Sequence, residues 1–338
     1  MSATGSRPSI ERDDLRGEVI TNGADLAALW PEWDSLWRAV PDRWPFTAPA
    51  WLRPWWDVFG TGRPVVATVR TASRLVGVLP LYRLENKLLP MGVGLSDHFD
   101  VLLAPDASGC AGWLLTLALD AAGVDRCDLP DLPDGACLRA VEPPTGWRGE
   151  AWDGPNCPVL PLRPEPAIPR GMRRDIRQAR NRADRAGGWT IERADAATLP
   201  AMLSHLFALH AARWALRGEA GVLADADVRR FHQAAAPALL GAEILRLEVL
   251  RLGDRVVAAV YALLAADRLC FYLGGFHPDA AFESPGTILM AHMVEDAARE
   301  GRHEAHFLRG EEPYKYAWGG IDRRNTGLSL TRASTDPA

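Results

Sequence analysis

Residues 244–276 read ILRLEVLRLGDRVVAAVYALLAADRLCFYLGGF, and this stretch decides the fold class. Ile244–Leu252, Arg255–Ala265 and Leu269–Phe276 are short apolar runs, which is the pattern of strands. Gly253-Asp254 separates the first two, and a two-residue loop opening on Gly suits a type II′ hairpin. The chain then predicts a helix over Pro285–Glu300, stopped by Gly301, and a strand over Glu304–Leu308. A three-stranded meander, a helix and one more strand is not the regular alternation of a doubly wound sheet. The expectation is an α/β (α+β) layer: a mixed, mostly antiparallel sheet flanked by helices.

Working outward, the second half begins with a helix over Arg170–Arg185 and a strand over Trp189–Arg193, followed by helices over Leu199–Leu216 and Asp225–Leu240. In the first half, Leu15–Thr21, Pro64–Arg70, Arg74–Leu84, Phe99–Leu103 and Asp125–Leu129 read as strands. Asp25–Val40, Pro49–Phe59 and Ala107–Ala122 read as helices. Arg74-Leu-Val-Gly-Val-Leu-Pro returns as Arg255-Val-Val-Ala-Ala-Val-Tyr 181 residues later, and each is followed by more strand, an apolar helix and a short strand. The chain is therefore expected to be a tandem repeat, with domains at 15–165 and 166–332. Ten prolines in 130–169 mark the junction near Pro161–Pro169, and Gly327–Thr331 is expected to close the second domain.

Of 338 residues, 48% are hydrophobic and 24% charged, which excludes disorder for the bulk of the chain. A net charge of −5 argues against general polyanion binding and against DNA as a partner. Five cysteines (Cys110, Cys127, Cys137, Cys157 and Cys270) form no CxxC and no zinc spacing, so no metal is expected. The polar N-terminus lacks the apolar stretch of a signal peptide. The longest apolar run, Val256–Ala266, has 11 residues where a membrane span needs about 20. A cytoplasmic location is the expectation. Lysine occurs only at Lys87 and Lys315 in a chain otherwise rich in arginine.

Several motifs of the second half resemble the GNAT acyltransferase superfamily, in its CelD-like (cellulose-biosynthesis-type) branch related to FemAB. They are His210-Ala-Ala-Arg213-Trp214 with Arg217-Gly218, Tyr272-Leu-Gly-Gly275-Phe276-His-Pro278, Ser284-Pro285-Gly286, and Phe307-Leu-Arg309-Gly310-Glu311-Glu312-Pro-Tyr314-Lys315 ending at Trp318. The first half adds Pro45-Phe46, Trp51, Leu79-Pro80-Leu81 and Ser96-Asp97-His98-Phe99-Asp100. The resemblance implies tandem GNAT-like domains. The N-terminal one would be degenerate. The C-terminal one would take acetyl-CoA or another acyl-CoA as donor. Two features depart from the pattern: His306 stands where the family usually has Asp, and the Arg/Gln-x-x-Gly-x-Gly phosphate loop is absent.

The resemblance implies a CoA pyrophosphate at the helix start Ser284-Pro285-Gly286-Thr287, where free N–H groups and the dipole favour an anion. The same residues also make an ordinary helix N-terminus. Tyr272, Gly274 and Gly275 would line the pantetheine arm, although a glycine pair also suits a bulge. Glu312 would be general base and Tyr314 the acid, with Lys315 stabilising developing charge. With Glu311 they read equally well as a surface ion-pair cluster.

His210, Arg213 and Trp214 share one helix face at i, i+3 and i+4, with Arg217 beside them. With Arg309 they would bind the acceptor; the same spacing fits a core Trp with a polar rim. The acceptor is expected to be a small molecule, an amino sugar or a polysaccharide precursor. Arg170, Arg173, Arg174, Arg177, Arg180, Arg182 and Arg185, opposed by Asp175 and Asp184, read as a solvated face or as the footprint of tRNA. Two alternatives stand beside acyl-CoA transfer: a FemAB-type aminoacyl-tRNA-dependent transferase, and a non-catalytic pseudo-acyltransferase that binds a ligand. The seven tryptophans from Trp30 to Trp56 read as core, or less simply as a sugar platform.

Overall fold

The computed structural model describes residues 14–216 and 218–333. The chain divides into two compact units, one running to Pro155 and resuming at Arg324, the other Asn156–Arg323.

Unit 1 opens with β1 (Arg16–Ile20), α1 (Gly23–Ala39) and α2 (Pro49–Phe59). The hairpin strands β2 (Arg63–Arg70) and β3 (Leu75–Leu84) follow, then β4 (Lys87–Pro90), β5 (Leu102–Leu103), α3 (Ala111–Ala122), β6 (Arg126–Leu132) and the start of β7 (Trp147–Pro161). Asn22 begins α1 because its side chain accepts the N–H of Asp25. The 3–4 spacing of Trp30, Trp33 and Trp37 buries all three. Their polar edges are satisfied indoors, with Trp33 Nε1 donating to Thr47 O and Trp37 Nε1 to Trp44 O. The tryptophans of α1 are core and offer no exposed sugar platform.

Unit 2 contains α4 (Arg170–Arg185), β8 (Trp189–Arg193), α5 (Leu199–Ala215), α6 (Ala226–Gly241), β9 (Leu245–Leu252), β10 (Arg255–Ala265), β11 (Arg268–Phe276), α7 (Pro285–Arg299), β12 (Glu304–His306) and α8 (Pro313–Ala317). The last strand, β13 (Ile321–Arg332), carries the chain back into unit 1. From β8 to β12 the order is β-α-α-β-β-β-α-β, and from β1 to β6 it is the same but for the two-residue β5.

The sheets repeat as well, β1-β2-β3-β4-β6 in one unit and β8-β9-β10-β11-β12 in the other. Both are antiparallel except for the last pair, β4 with β6 and β11 with β12, which the helix crossover makes parallel. The expected mixed α/β architecture is present in each unit.

Along β10, alternate side chains divide unit 2 into two layers. Ala258, Val260 and Ala262 join Ile288, Leu289, Met293 and Ala297 of α7 and Ile176, Ala179 and Ala183 of α4 in one core. Tyr261 faces the other way, against His232 of α6. The Gly253-Asp254 loop closes the hairpin with Leu252 opposite Arg255, Gly253 taking φ +54 as the turn requires.

Three elements differ from the sequence reading. The proline-rich 130–169 stretch contains the 15-residue strand β7, because carbonyls of Asn156 and Pro158 accept N–H groups of Gly310 and Phe307. Proline lacks a donor but keeps its acceptor, so such a strand is invisible to local pattern. The strand expected over Phe99–Leu103 pairs only at Leu102–Leu103, since Asp100 turns aside to accept the N–H groups of Cys137 and Leu138. Gly327–Thr331 pairs with β6, Leu330 opposite Cys127, and so closes unit 1 rather than the second half.

Candidate active site

β11 is the element on which the site is built. Its register against β10 slips after Tyr261, with Tyr261 opposite Leu273 and Ala262 opposite Phe271, so Tyr272 bulges out of the ladder. On its other side β11 pairs with β12 over three residues, ending at Cys270–His306. Phe307 then follows β7 instead. Beyond Cys270, among the described residues, β11 has no strand partner on its β12 side. A strand that parts from its neighbour beside a bulge gives an extended ligand an edge to lie along.

Three groups of sequence-predicted residues meet at this edge. Arg213 of α5 is the link: its Nη1 lies 3.5 Å from Gly274 O, its guanidinium stands 5.8 Å from the Phe276 ring centroid, and its charge acts on Glu312. Gly275 allows the crossing of α5, because a Cβ there would sit 2.5 Å from His210 N and Leu209 C. Gly275 is therefore a helix-packing residue, whereas Gly274 has ordinary space around it. Arg217 lies outside the described residues.

The helix start at Ser284 departs from the expected cap. Ser284 adopts a left-handed conformation (φ 53°, ψ 53°) and its side chain makes no capping bond. Its hydroxyl instead accepts a hydrogen bond from Arg182 Nη2 at 3.1 Å. Arg182, part of the basic helix α4, thereby stands beside the N-terminus of α7. Its guanidinium lies 5.3 Å from the exposed Phe282 ring. At Gly286 a Cβ would meet only Phe276, at 3.9 Å, so the backbone there is open to approach. Pro285 is buried; Thr287 donates its N–H to Ser284 O and is half-buried.

The 306–315 segment is held from inside. His306 is buried, and its Nδ1 accepts the N–H of Leu308, which takes φ +58. An imidazole thus does the turn-holding work open to an Asp carboxylate, which accounts for the departure noted at that position. Lys315, 2% exposed, donates from Nζ to the carbonyls of Leu308 (3.3 Å), Arg309 (2.6 Å) and Gly310 (3.2 Å), and pairs with Glu312 Oε2 at 2.9 Å. A compact ammonium fits a ring of carbonyls that a planar guanidinium does not. That explains a lysine among arginines.

It also uses up the three donors of Lys315, which is thereby a clamp on the turn rather than a group free to meet an oxyanion. Burial raises the Glu312 carboxyl, but the hydrogen bond and charge of Lys315, with Arg213 behind, hold it below the usual range. That direction makes it a weak base at neutral pH. Tyr314 is exposed on α8, edge-on to Phe307. Glu311 accepts from Asn156, and Arg309 is half-buried with its carbonyl on Lys315.

Sequence reasoning missed three contacts: Arg182 on Ser284, His306 on Leu308, and Trp214 Nε1 donating to His210 Nε2 at 2.8 Å. Only the last had a local signal, the i, i+4 spacing. Elsewhere in unit 2, Glu248, His292 and Asp296 bring three ligand-type atoms within 4.8 Å of one another. Arg193 bonds both carboxylates there (2.8 and 2.9 Å), so the group is an ion-pair network.

The repeated sheet order, the bulged strand and the helix start beyond it define a tandem α/β fold. Residues 170–316, all in unit 2, match the family model described as an acetyltransferase (GNAT) domain. Among solved structures the chain resembles FemX, with a TM-score of 0.64 at 12% identity over 88% of this chain and 95% of that one. A conserved protein of unknown function from Bacteroides thetaiotaomicron VPI-5482 gives 0.56 at 11% identity, over 93% and 100%. L-PGS from Bacillus licheniformis gives 0.53 at 12%, over 77% and 82%. These likenesses are of fold. No curated protein matches the chain. Among the described residues no helix is long and apolar enough to cross a membrane.

Proposed function

We propose that unit 2 transfers an acyl group from an acyl-CoA directly to an amine or hydroxyl of a small molecule or carbohydrate. The observation that carries this reading is the parting of β11 from β12 beside the bulge at Tyr272. The pantetheine arm would lie along the 271–276 edge by Gly274, and the pyrophosphate at the start of α7 over Gly286 and Thr287, with Arg182 at hand. The acceptor heteroatom bonds the thioester carbon and the C–S bond breaks. The acceptor's proton passes to water, and the thiolate is protonated from Tyr314 or solvent. Glu312 and Arg213 orient the acceptor at the mouth, and Lys315 holds their turn.

Gly286→Asp tests the cofactor site. The aspartate has room, and a carboxylate near a helix N-terminus stabilises the helix by about 0.3–1 kcal/mol. The variant should melt at or above wild type yet lose acetyl-CoA binding by calorimetry. Binding unchanged from wild type would refute the placement.

One observation favours a second reading. The arginines of α4 give a strongly basic surface, and Arg174 and Arg177 are exposed on it. That is the electrostatic footprint expected if the donor were an aminoacyl-tRNA.

A further inference from the structure

His210 sits where α5 crosses β11, its backbone against Gly275 and Arg213 one turn beyond it. The imidazole is 2% exposed. Its Nε2 accepts from the Trp214 indole, and an indole nitrogen can only donate. Nε2 therefore carries no proton, and the neutral ring holds its proton on Nδ1. Burial, then the charge of Arg213, push the ring down to about 4, so it is neutral throughout the physiological range.

Nδ1 is buried and makes no hydrogen bond. The Tyr261 hydroxyl, on a wholly buried side chain, makes none either. His232 links the two: its ring centroid is 5.4 Å from that of Tyr261, and burial, then the charge of His210, push it down to about 3. Native cores rarely leave two polar groups unmatched around one side chain, here His232, unless something else pairs with them. Gly221 (φ +72) lies directly over the His210–Trp214 pair; a Cβ there would come within 2.7 Å of both rings.

We propose that His210 Nδ1–H and the Tyr261 hydroxyl form a buried subsite for an uncharged oxygen of the acyl acceptor, a hydroxyl or an amide carbonyl, with Trp214 locking the tautomer. Naming this oxygen the acceptor's rests on the acyl-transfer reading; the subsite itself does not. Trp214 is then a positioning residue, not a stacking platform. The subsite selects against charge. An ammonium finds a ring nitrogen that donates and the nearby charge of Arg213, and a carboxylate must shed its water to enter.

The test is the ¹⁵N spectrum of histidine-labelled full-length protein. His210 should show a protonated Nδ1 and a bare Nε2 from pH 5 to 8, and Trp214→Phe should mix the tautomers. The labelled protein is then titrated with acetamide and glycerol as neutral probes, and with acetate and methylammonium as charged ones. The neutral probes should shift His210 Nδ1–H, and His210→Gln should lose the response. A proton on Nε2, no shift with any probe, or a larger shift with the charged pair would overturn the proposal. Acetyl-CoA calorimetry on the same sample separates the two ideas. A neutral-probe response without CoA binding sinks acyl-CoA transfer and leaves the subsite standing.

Discussion

Lys315 shows how a residue's chemistry is set by what surrounds it. Its ammonium closes the turn of Leu308, Arg309 and Gly310 by bonding their three carbonyls. Replacing it by Met leaves those acceptors short of donors in a buried place, at about 1–3 kcal/mol for such a group. Lys315→Met should therefore lower the urea midpoint and loosen the site together. Lys315→Arg should not restore either, because the guanidinium is too wide for the ring. Normal stability in the methionine variant, with only the turnover number reduced, would return Lys315 to a catalytic role. The sequence flagged Lys315 correctly as unusual, from composition. It could not show the reason, since the partners are backbone atoms whose directions depend on a left-handed Leu308 held by His306.

At the scale of elements, the candidate site depends on one helix lying unusually near one strand. Gly275 makes that approach, and a methyl group there would collide with backbone of Leu209 and His210, which cannot rotate away. Gly275→Ala should cost on the order of 1–3 kcal/mol, as overpacking does, measured by chemical unfolding. Gly274→Ala, which meets its nearest neighbour at 3.4 Å, should be far milder. Equal effects would mean that α5 does not pack as described. The glycine pair was legible as a place of close approach. Which glycine serves packing and which faces the edge was not, because alternation along the strand is interrupted by the bulge at Tyr272. Local pattern likewise recovered β9 and β10, as continuous apolar runs about a two-residue turn, and α7. It missed β7, whose partners are distant in sequence.

For the molecule as a whole the open contest is over the donor, and α4 decides it. Arg180 is committed to Glu295, Arg182 to Ser284 and Arg173 to carbonyls of Pro166 and Ile168. Arg174 and Arg177 are the pair to neutralise, since both are exposed. With acyl-CoA as donor, Arg174→Gln with Arg177→Gln should leave acetyl-CoA turnover within about twofold, and bulk tRNA should not compete. With a tRNA donor, the same change should weaken binding of bulk tRNA and flatten its log–log salt slope by about 0.7–0.9 per lost phosphate contact. Filter binding at several salt concentrations distinguishes the outcomes.

By itself the sequence determined the repeated order of strands and helices, because hydrophobic period and turn residues act over a few neighbours. It also marked the segments that meet at the site, through clusters of unusual residues at 210–214, 272–287 and 306–315. The tertiary structure alone decided what each residue touches. It put Lys315 in a ring of three carbonyls, held the Glu312 carboxyl below its usual range, gave Ser284 to Arg182, and fixed the proton of His210 through Trp214. A hydrogen bond's direction and a carboxylate's field depend on atoms brought together by packing. No window of sequence contains them.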